Sequence, residues 1–259
     1  MADAFFVEAD GAFVATELAR GPWDERFLHG GPPSALLAGA VARFEGGDGY
    51  AVARISYDFH RPVPLARLTV TVEPVHLGRS VQRFRATLAH DGRTVLEAQA
   101  LRARRRPGSP VGDPPLDDWP APDSVERNVF RFFSHPVGYH QAVDIRYVSG
   151  PWGATPVQVW GRVLVPLVEG RATSALERTI VLADAQSGMG PPLDPLRFNY
   201  ANPDLAVFLD RHPEGEWVGF DIRSSAQTEG IGLSQALIRD ARGACGRSAQ
   251  TLLVTPRAE

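Results

Sequence analysis

A single cysteine, Cys245, in a chain of 259 residues leaves no partner for an intrachain disulfide. The fold therefore does not depend on an oxidising compartment. No apolar run reaches the roughly 18 residues that a membrane-spanning helix needs. The opening Met1–Ala4 has neither a basic start nor a long apolar stretch, so no secretory signal is expected and the expected location is cytoplasmic. An excess of one charge is missing as well: 27 Lys and Arg face 30 Asp and Glu, for a net charge of -3. That balance offers no broad basic surface to nucleic acid or an anionic membrane. No Gly-x-Ser-x-Gly elbow occurs, which removes the serine-hydrolase reading; Gln186-Ser187-Gly188 comes nearest. His135 and His140 have a metal-ligand spacing, but they lie in a Pro/Gly-rich loop without a cysteine. No metal and no organic cofactor are expected. Cys245 sits between Ala244 and Gly246 and reads as core packing.

What is present is a globular composition, 44% hydrophobic and 22% charged, with ample material for a core. Residues Pro107–Pro122 hold six prolines and three acidic residues, and they read as a surface linker. The linker, 107–125, divides the chain into halves at 1–106 and 126–259. Each half reads as one helix followed by strands. In the first, an alanine-rich helix from Ala35 to Phe44 is apolar nearly all round and should be buried. Pro33 and Ser34 stand near its start as caps. Strands are expected at 52–60, 68–77, 81–90 and 94–104. Leu68, Val70 and Val72 alternate with Thr69, Thr71 and Glu73, which is the two-residue period of a half-buried strand. Asp91-Gly92 marks a tight hairpin. The second half repeats the plan, with a helix over 172–188 and strands at 205–209, 217–225, 232–239 and 244–254. Arg242-Gly243 takes the place of Asp91-Gly92, and a glutamine follows each turn glycine by seven residues, Gln99 and Gln250. Arg61-Pro62 has an echo in Arg211-His-Pro213. An internal duplication accounts for the shared offset. The cluster Arg102, Arg104, Arg105 and Arg106 reads as a solvated strand end, with contact to a phosphorylated ligand as the sharper alternative. The fold class is α+β, with long helices wrapped by curved antiparallel sheets. Two such units would join edge strands into one continuous sheet.

Three segments carry a family resemblance: Phe27-Leu-His-Gly-Gly31, His60-Arg-Pro62, and the closing Asp240 to Leu253 with its Ala249-Gln250. In order and spacing they resemble the thioesterase-like superfamily, and more narrowly its double hot-dog acyl-CoA thioesterase II branch. The resemblance covers nearly the whole chain outside the linker. It implies an acyl-CoA substrate, hydrolysis to free acid and coenzyme A, and a homo-oligomer. It also implies a site in the second repeat where an aspartate, a threonine and a glutamine hold the attacking water. The aspartate's place is Asp184 and the glutamine's is Gln250. The threonine's place reads Asn202-Pro-Asp204, so Asn202 replaces it; an amide both donates and accepts.

The chemistry fits those residue types. A carboxylate at Asp184 could take a proton from water while Asn202 and Gln250 orient it. His29, Gly30 and Gly31 would line the substrate pocket, with the glycines letting a carbonyl approach the backbone at a helix start. Each residue also has a plain structural reading: a buried hydrogen-bond acceptor for Asp184, a solvent-facing strand residue for Gln250, a turn for Asn202 and for the glycines. Two other functions stay open. One is an acyl-CoA-binding module without chemistry. The other is a hot-dog enoyl-CoA hydratase using Asp24 and His29.

Overall fold

The computed structural model describes residues 3–109, 112, 118–128, 133 and 135–257. Most of the Pro-rich core of the linker, at 110–111 and 113–117, therefore lies outside the described residues. The chain runs β1 (Phe6–Ala9), β2 (Ala12–Ala15), α1 (Gly31–Arg43), β3 (Tyr50–Phe59), β4 (Arg67–Leu77), β5 (Val81–His90) and β6 (Arg93–Arg104). It continues through β7 (Val143–Ser149), β8 (Val157–Val163), α2 (Ala175–Ala183), α3 (Gln186–Met189), β9 (Phe198–Ala201), β10 (Asp204–Leu209), β11 (Trp217–Ala226), β12 (Ile231–Asp240) and β13 (Gly243–Pro256).

The strands form one sheet in the order β1-β2-β4-β5-β6-β3-β10-β13-β12-β11-β8-β7, with β9 beside the far end of β13. That order reads the same way from either end. β3 and β10 meet antiparallel at the centre, from Asp58 opposite Asp204 to Arg54 opposite Phe208. The joined edges leave neither half with an open strand there. This is the double hot-dog plan. It also corrects the order of elements in each half. A hairpin, β1-β2 or β7-β8, precedes the helix, where the sequence patterns indicated a helix first. β1 and β2 are only four residues each, too short for a period to show. In β7 the alternation is broken by Asp144, which is buried yet bonded to Arg146 at 3.0 Å.

The hairpin turns give a second correction. In the first half His90 pairs with Arg93, around Asp91-Gly92. In the second Asp240 pairs with Gly243, around Ala241-Arg242. Structural equivalence therefore matches Arg93 with Gly243 and Ala100 with Gln250, one residue away from the match the glycines suggest. Gln99 is exposed and Gln250 is 1% exposed. The duplication is visible in the topology, but the two glutamines are not its mark.

The helices pack antiparallel. α1 begins four residues earlier than its pattern suggested: Gly30 is the N-cap, and Pro32 and Pro33 occupy its first turn. Proline is well placed there because its missing N–H would have no helical partner. Ser34 is inside the helix rather than capping it, and residues 31–39 are all buried. The expected helix over 172–188 is two helices with a break at Asp184-Ala185. α2 starts in a capping box, in which Ser174 and Glu177 satisfy each other's N–H groups. Glu177 also accepts from Arg43 at 2.7 Å, tying the end of α1 to the start of α2. Arg102 is not a solvated strand end. It is 1% exposed, and its guanidinium donates to the carbonyls of Val41, Phe44 and Glu45, capping the C-terminus of α1.

At the other tip, a Cβ added to Gly31 would lie 2.3 Å from the Val181 carbonyl oxygen. The neighbour is helix backbone and cannot turn aside. Gly31→Ala is therefore expected to cost about 2 kcal/mol by overpacking. The predicted readout is a Tm lower by about 5 °C in a thermal melt. Gly188→Ala, whose Cβ would meet nothing within 4 Å, should leave Tm unchanged or raise it. Equal behaviour of the two variants would show that the helix contact at Gly31 is not tight.

Candidate active site

The break after α2 places Asp184 at a helix end. Its carbonyl would need an N–H from the next turn, but that turn restarts as α3. Gln250, reaching in from β13, supplies the donor: its Nε2 lies 2.9 Å from the Asp184 carbonyl oxygen. Gln250 thus points inward, and its Oε1 is buried without a partner among the described residues.

Asn202 stands where β9 gives way to β10. β9 pairs with Leu253–Pro256 and β10 with Gly246–Ala249 of the same strand, so the chain steps away from β13 opposite Gln250. Asp204 pins the far side of the step by accepting from Thr251 N at 2.6 Å and Thr251 Oγ1 at 3.1 Å. The Asn202 amide then donates to Asp184 Oδ1 at 2.9 Å and to the Asp204 carbonyl at 3.2 Å. Both its hydrogens are used on protein.

The Asp184 carboxylate, 4% exposed, also meets the start of α1. His29 Nδ1 lies 3.1 Å from Asp184 Oδ2. A Cβ at Gly30 would come within 2.8 Å of the same oxygen, so only glycine leaves room for the carboxylate there. Gly31 N–H donates to His29 Nδ1 at 3.1 Å. The imidazole stacks flat on the Tyr139 ring, at 3.8 Å and 5°. Tyr139 in turn donates to the Val181 carbonyl at 2.9 Å. Burial lowers the His29 pKa, with the Asp184 charge opposing the shift. Burial raises the Tyr139 phenol well above its ordinary value, and Asp184 adds to it.

Asp184, Asn202, His29 and Gly30 line one cavity of about 480 Å³. Its walls include the aromatic rings of Phe27, Phe59, Phe133, Trp152 and Tyr200. Gln250 and Gly31 stand behind this lining. Four of the five other residues expected at the site are therefore within one contact of Asp184, while Gly31 is joined through His29. Asp24 is not part of the group. Arg26 holds its carboxylate at 2.6 Å and, by side-chain and backbone hydrogen bonds, keeps its pKa down at about 2. The Asp24–His29 pair is not assembled. Tyr139 was not foreseen: it lies in an irregular segment that offers no period, only its neighbouring histidines. Among the described residues, no group of three or more His, Cys, Asp or Glu side chains is placed to hold a metal ion. Among the described residues, no helix is long and apolar enough to cross a membrane.

The near-twofold plan implies a counterpart at the opposite helix tips. There the Arg43–Glu177 pair and the Arg102 cap fill the space. Among the described residues, one such site is assembled, at the Asp184 end.

Comparison with known proteins agrees with this architecture. Residues 19–103 match the family model of the acyl-CoA thioesterase N-terminal domain, and residues 110–254 that of the C-terminal domain. No curated protein matches the chain. Among solved structures, a conserved hot-dog protein of Alicyclobacillus acidocaldarius has a TM-score of 0.75 at 18% identity, covering 99% of this chain and 97% of its own. A candidate thioesterase from Novosphingobium aromaticivorans has a TM-score of 0.73 at 22% identity, with 96% and 98% covered. The acyl-CoA thioesterase II TesB2 of Mycobacterium marinum has 0.64 at 17%, with 90% of each chain covered. With both halves matched by its family models, the chain belongs to the acyl-CoA thioesterase family.

Proposed function

We propose that the protein hydrolyses an acyl-CoA thioester at the cavity beside Asp184, giving free acid and coenzyme A. The observation that supports this most is a buried carboxylate facing an apolar cavity at the first turn of a helix. Asp184 takes a proton from a water as the water oxygen bonds to the thioester carbonyl carbon. Asn202 fixes the carboxylate through Oδ1, so the residue in the threonine's place holds the base rather than the water. Gln250 fixes the main chain of the same residue, and its Oε1 is buried behind the cavity lining. The oxyanion requires N–H donors. Pro32 and Pro33 have none, and the Ser34 N–H is bonded to Gly30 O. Gly30 offers one, and Gly31, whose N–H rests on His29 Nδ1, is the second once that bond is released, both at the positive end of α1. The acyl group occupies the aromatic lining. The repeats are 1–106 and 126–259, joined by the linker 107–125.

The test is a panel of acyl-CoA substrates with purified protein, read by release of free thiol. Turnover of at least one acyl-CoA is expected. Binding of acyl-CoA without thiol release would reduce the protein to a binding module and overturn the proposal.

A further inference from the structure

The His29 imidazole makes two claims on one nitrogen. Nδ1 is 3.1 Å from Gly31 N and 3.1 Å from Asp184 Oδ2. A bare Nδ1 accepts from Gly31 and faces the carboxylate with a lone pair. A protonated Nδ1 donates to Asp184 and has nothing to offer Gly31. The two states are mutually exclusive. Because prolines follow, the Gly31 N–H is one of only two donors at this helix start, and in the first state it is occupied.

We propose that His29 is a positioning residue that couples proton uptake by Asp184 to release of the Gly31 N–H. The inference rests on the hydrolysis proposed above. As water adds to the carbonyl carbon, its proton passes to Asp184 Oδ2 and on to His29 Nδ1. The carbonyl π electrons move to oxygen. Nδ1–H now points at the carboxylate, and the Gly31 N–H, no longer accepted by the imidazole, is open to the oxyanion. When the tetrahedral species collapses, the C–S bond breaks with its electron pair on sulfur. The thiolate takes the proton back through Asp184, and Nδ1 again accepts from Gly31. The donor is thus freed only when negative charge has developed, which favours the transition state over the bound substrate.

The groups that face the imidazole are few. Asp184 comes from the end of α2, and the Tyr139 ring covers one face with its hydroxyl turned to Val181. Phe59, at the end of β3, lines the same cavity, as do His60 and Arg61, both exposed. Asp184 is the only carboxylate in the cavity lining among the described residues. Burial already disfavours the imidazolium in the resting state, which keeps the Gly31 N–H occupied until the proton arrives.

The first test needs no variant. In protein labelled with ¹⁵N, the His29 ring nitrogens and the Gly31 amide are followed through a pH titration. The Gly31 amide is expected to shift with the same midpoint as Nδ1. A Gly31 amide that ignores the His29 titration overturns the coupling. The second test is the pH dependence of kcat/KM for His29→Phe, which keeps a ring against Tyr139. A fall in kcat of about a hundredfold with little change in KM is expected. The acid limb should no longer follow the Nδ1 titration seen in the wild type. An equal fall at every pH, with the limb unmoved, would reduce His29 to a packing residue. Loss of turnover in the wild type would instead sink the hydrolysis proposal, while the titration would still judge the coupling.

Discussion

Asp184→Asn is expected to lower kcat by about a thousandfold on any acyl-CoA the wild type turns over, with KM within a few fold. The amide has the same shape and keeps an oxygen to accept from Asn202, so the site stays assembled. What it loses is the capacity to take a proton. A general base contributes about 100- to 10,000-fold. The group is buried 2.9 Å from Asn202 and 3.1 Å from His29, so no exposed carboxylate can stand in for it. An interaction made only in the transition state should appear in kcat rather than KM. The check is a steady-state thiol-release assay of wild type and variant, beside thermal melts. A variant that folds normally and keeps more than a tenth of the wild-type kcat would remove Asp184 from the role of base.

The residues of that site were legible in the sequence to different degrees, and the reasons are physical. Asp184 was placed by the family resemblance, and a carboxylate next to the apolar run Ile180-Val-Leu-Ala needs partners. Its partners were not legible. The helix break that leaves its carbonyl orphaned carries no proline or glycine; it is completed by Gln250, 66 residues on. The direction of Gln250 depends on strand register, and an equal count from the two turn glycines matched it with Gln99, one residue away from its equivalent Ala100. A shift of one residue turns a strand's side chains from core to solvent. Asn202 was placed by its neighbours Pro203 and Asp204, while the step in the chain that aims it appears only once β13 is alongside. The stacking of Tyr139 on His29 joins segments more than 100 residues apart and leaves no local trace. Arg102 shows the converse. Within a run of arginines it looked like a surface residue, yet its neighbours point to solvent while it caps α1. Alternation along β6, not charge, decided its side.

The strands themselves were clearer, since long alternating runs fix both type and face. So was the pairing of two units, because each half ended on an open edge. The echo between Arg61 and Arg211 was real in position and different in use. Arg61 lines the cavity, whereas Arg211 is locked to Asp240. Duplication supplied the same residue twice, and the two surroundings gave it separate tasks.

That second use leads to the largest stability effect expected in the molecule. Asp240 is fully buried at the β12–β13 turn. It accepts from Arg211 at 2.5 and 2.7 Å, and from the N–H groups of Glu214 and Arg242 at 2.8 Å each. Burial alone would raise its pKa. The Arg211 pair and the two backbone donors outweigh burial and hold it at about 2, below its ordinary 3.8. Asp240→Ala strands a partly buried guanidinium and two N–H groups at once. Removing one member of such a pair costs about 3–5 kcal/mol; Arg211 keeps some solvent contact, so about 3 kcal/mol is expected. In a chain of this size that lowers Tm by about 10 °C at neutral pH. The pH dependence has a fixed sign. A carboxylate with a depressed folded pKa contributes fully above its unfolded value, and the contribution fades as pH falls towards the folded one. The gap in stability between wild type and variant should therefore be constant from pH 7 down to about 4 and narrow between about 4 and 2. Chemical denaturation of both proteins across that range measures it. A gap that does not narrow in that window would mean that the ionised carboxylate is not what holds the turn, and that its loss acts through packing instead.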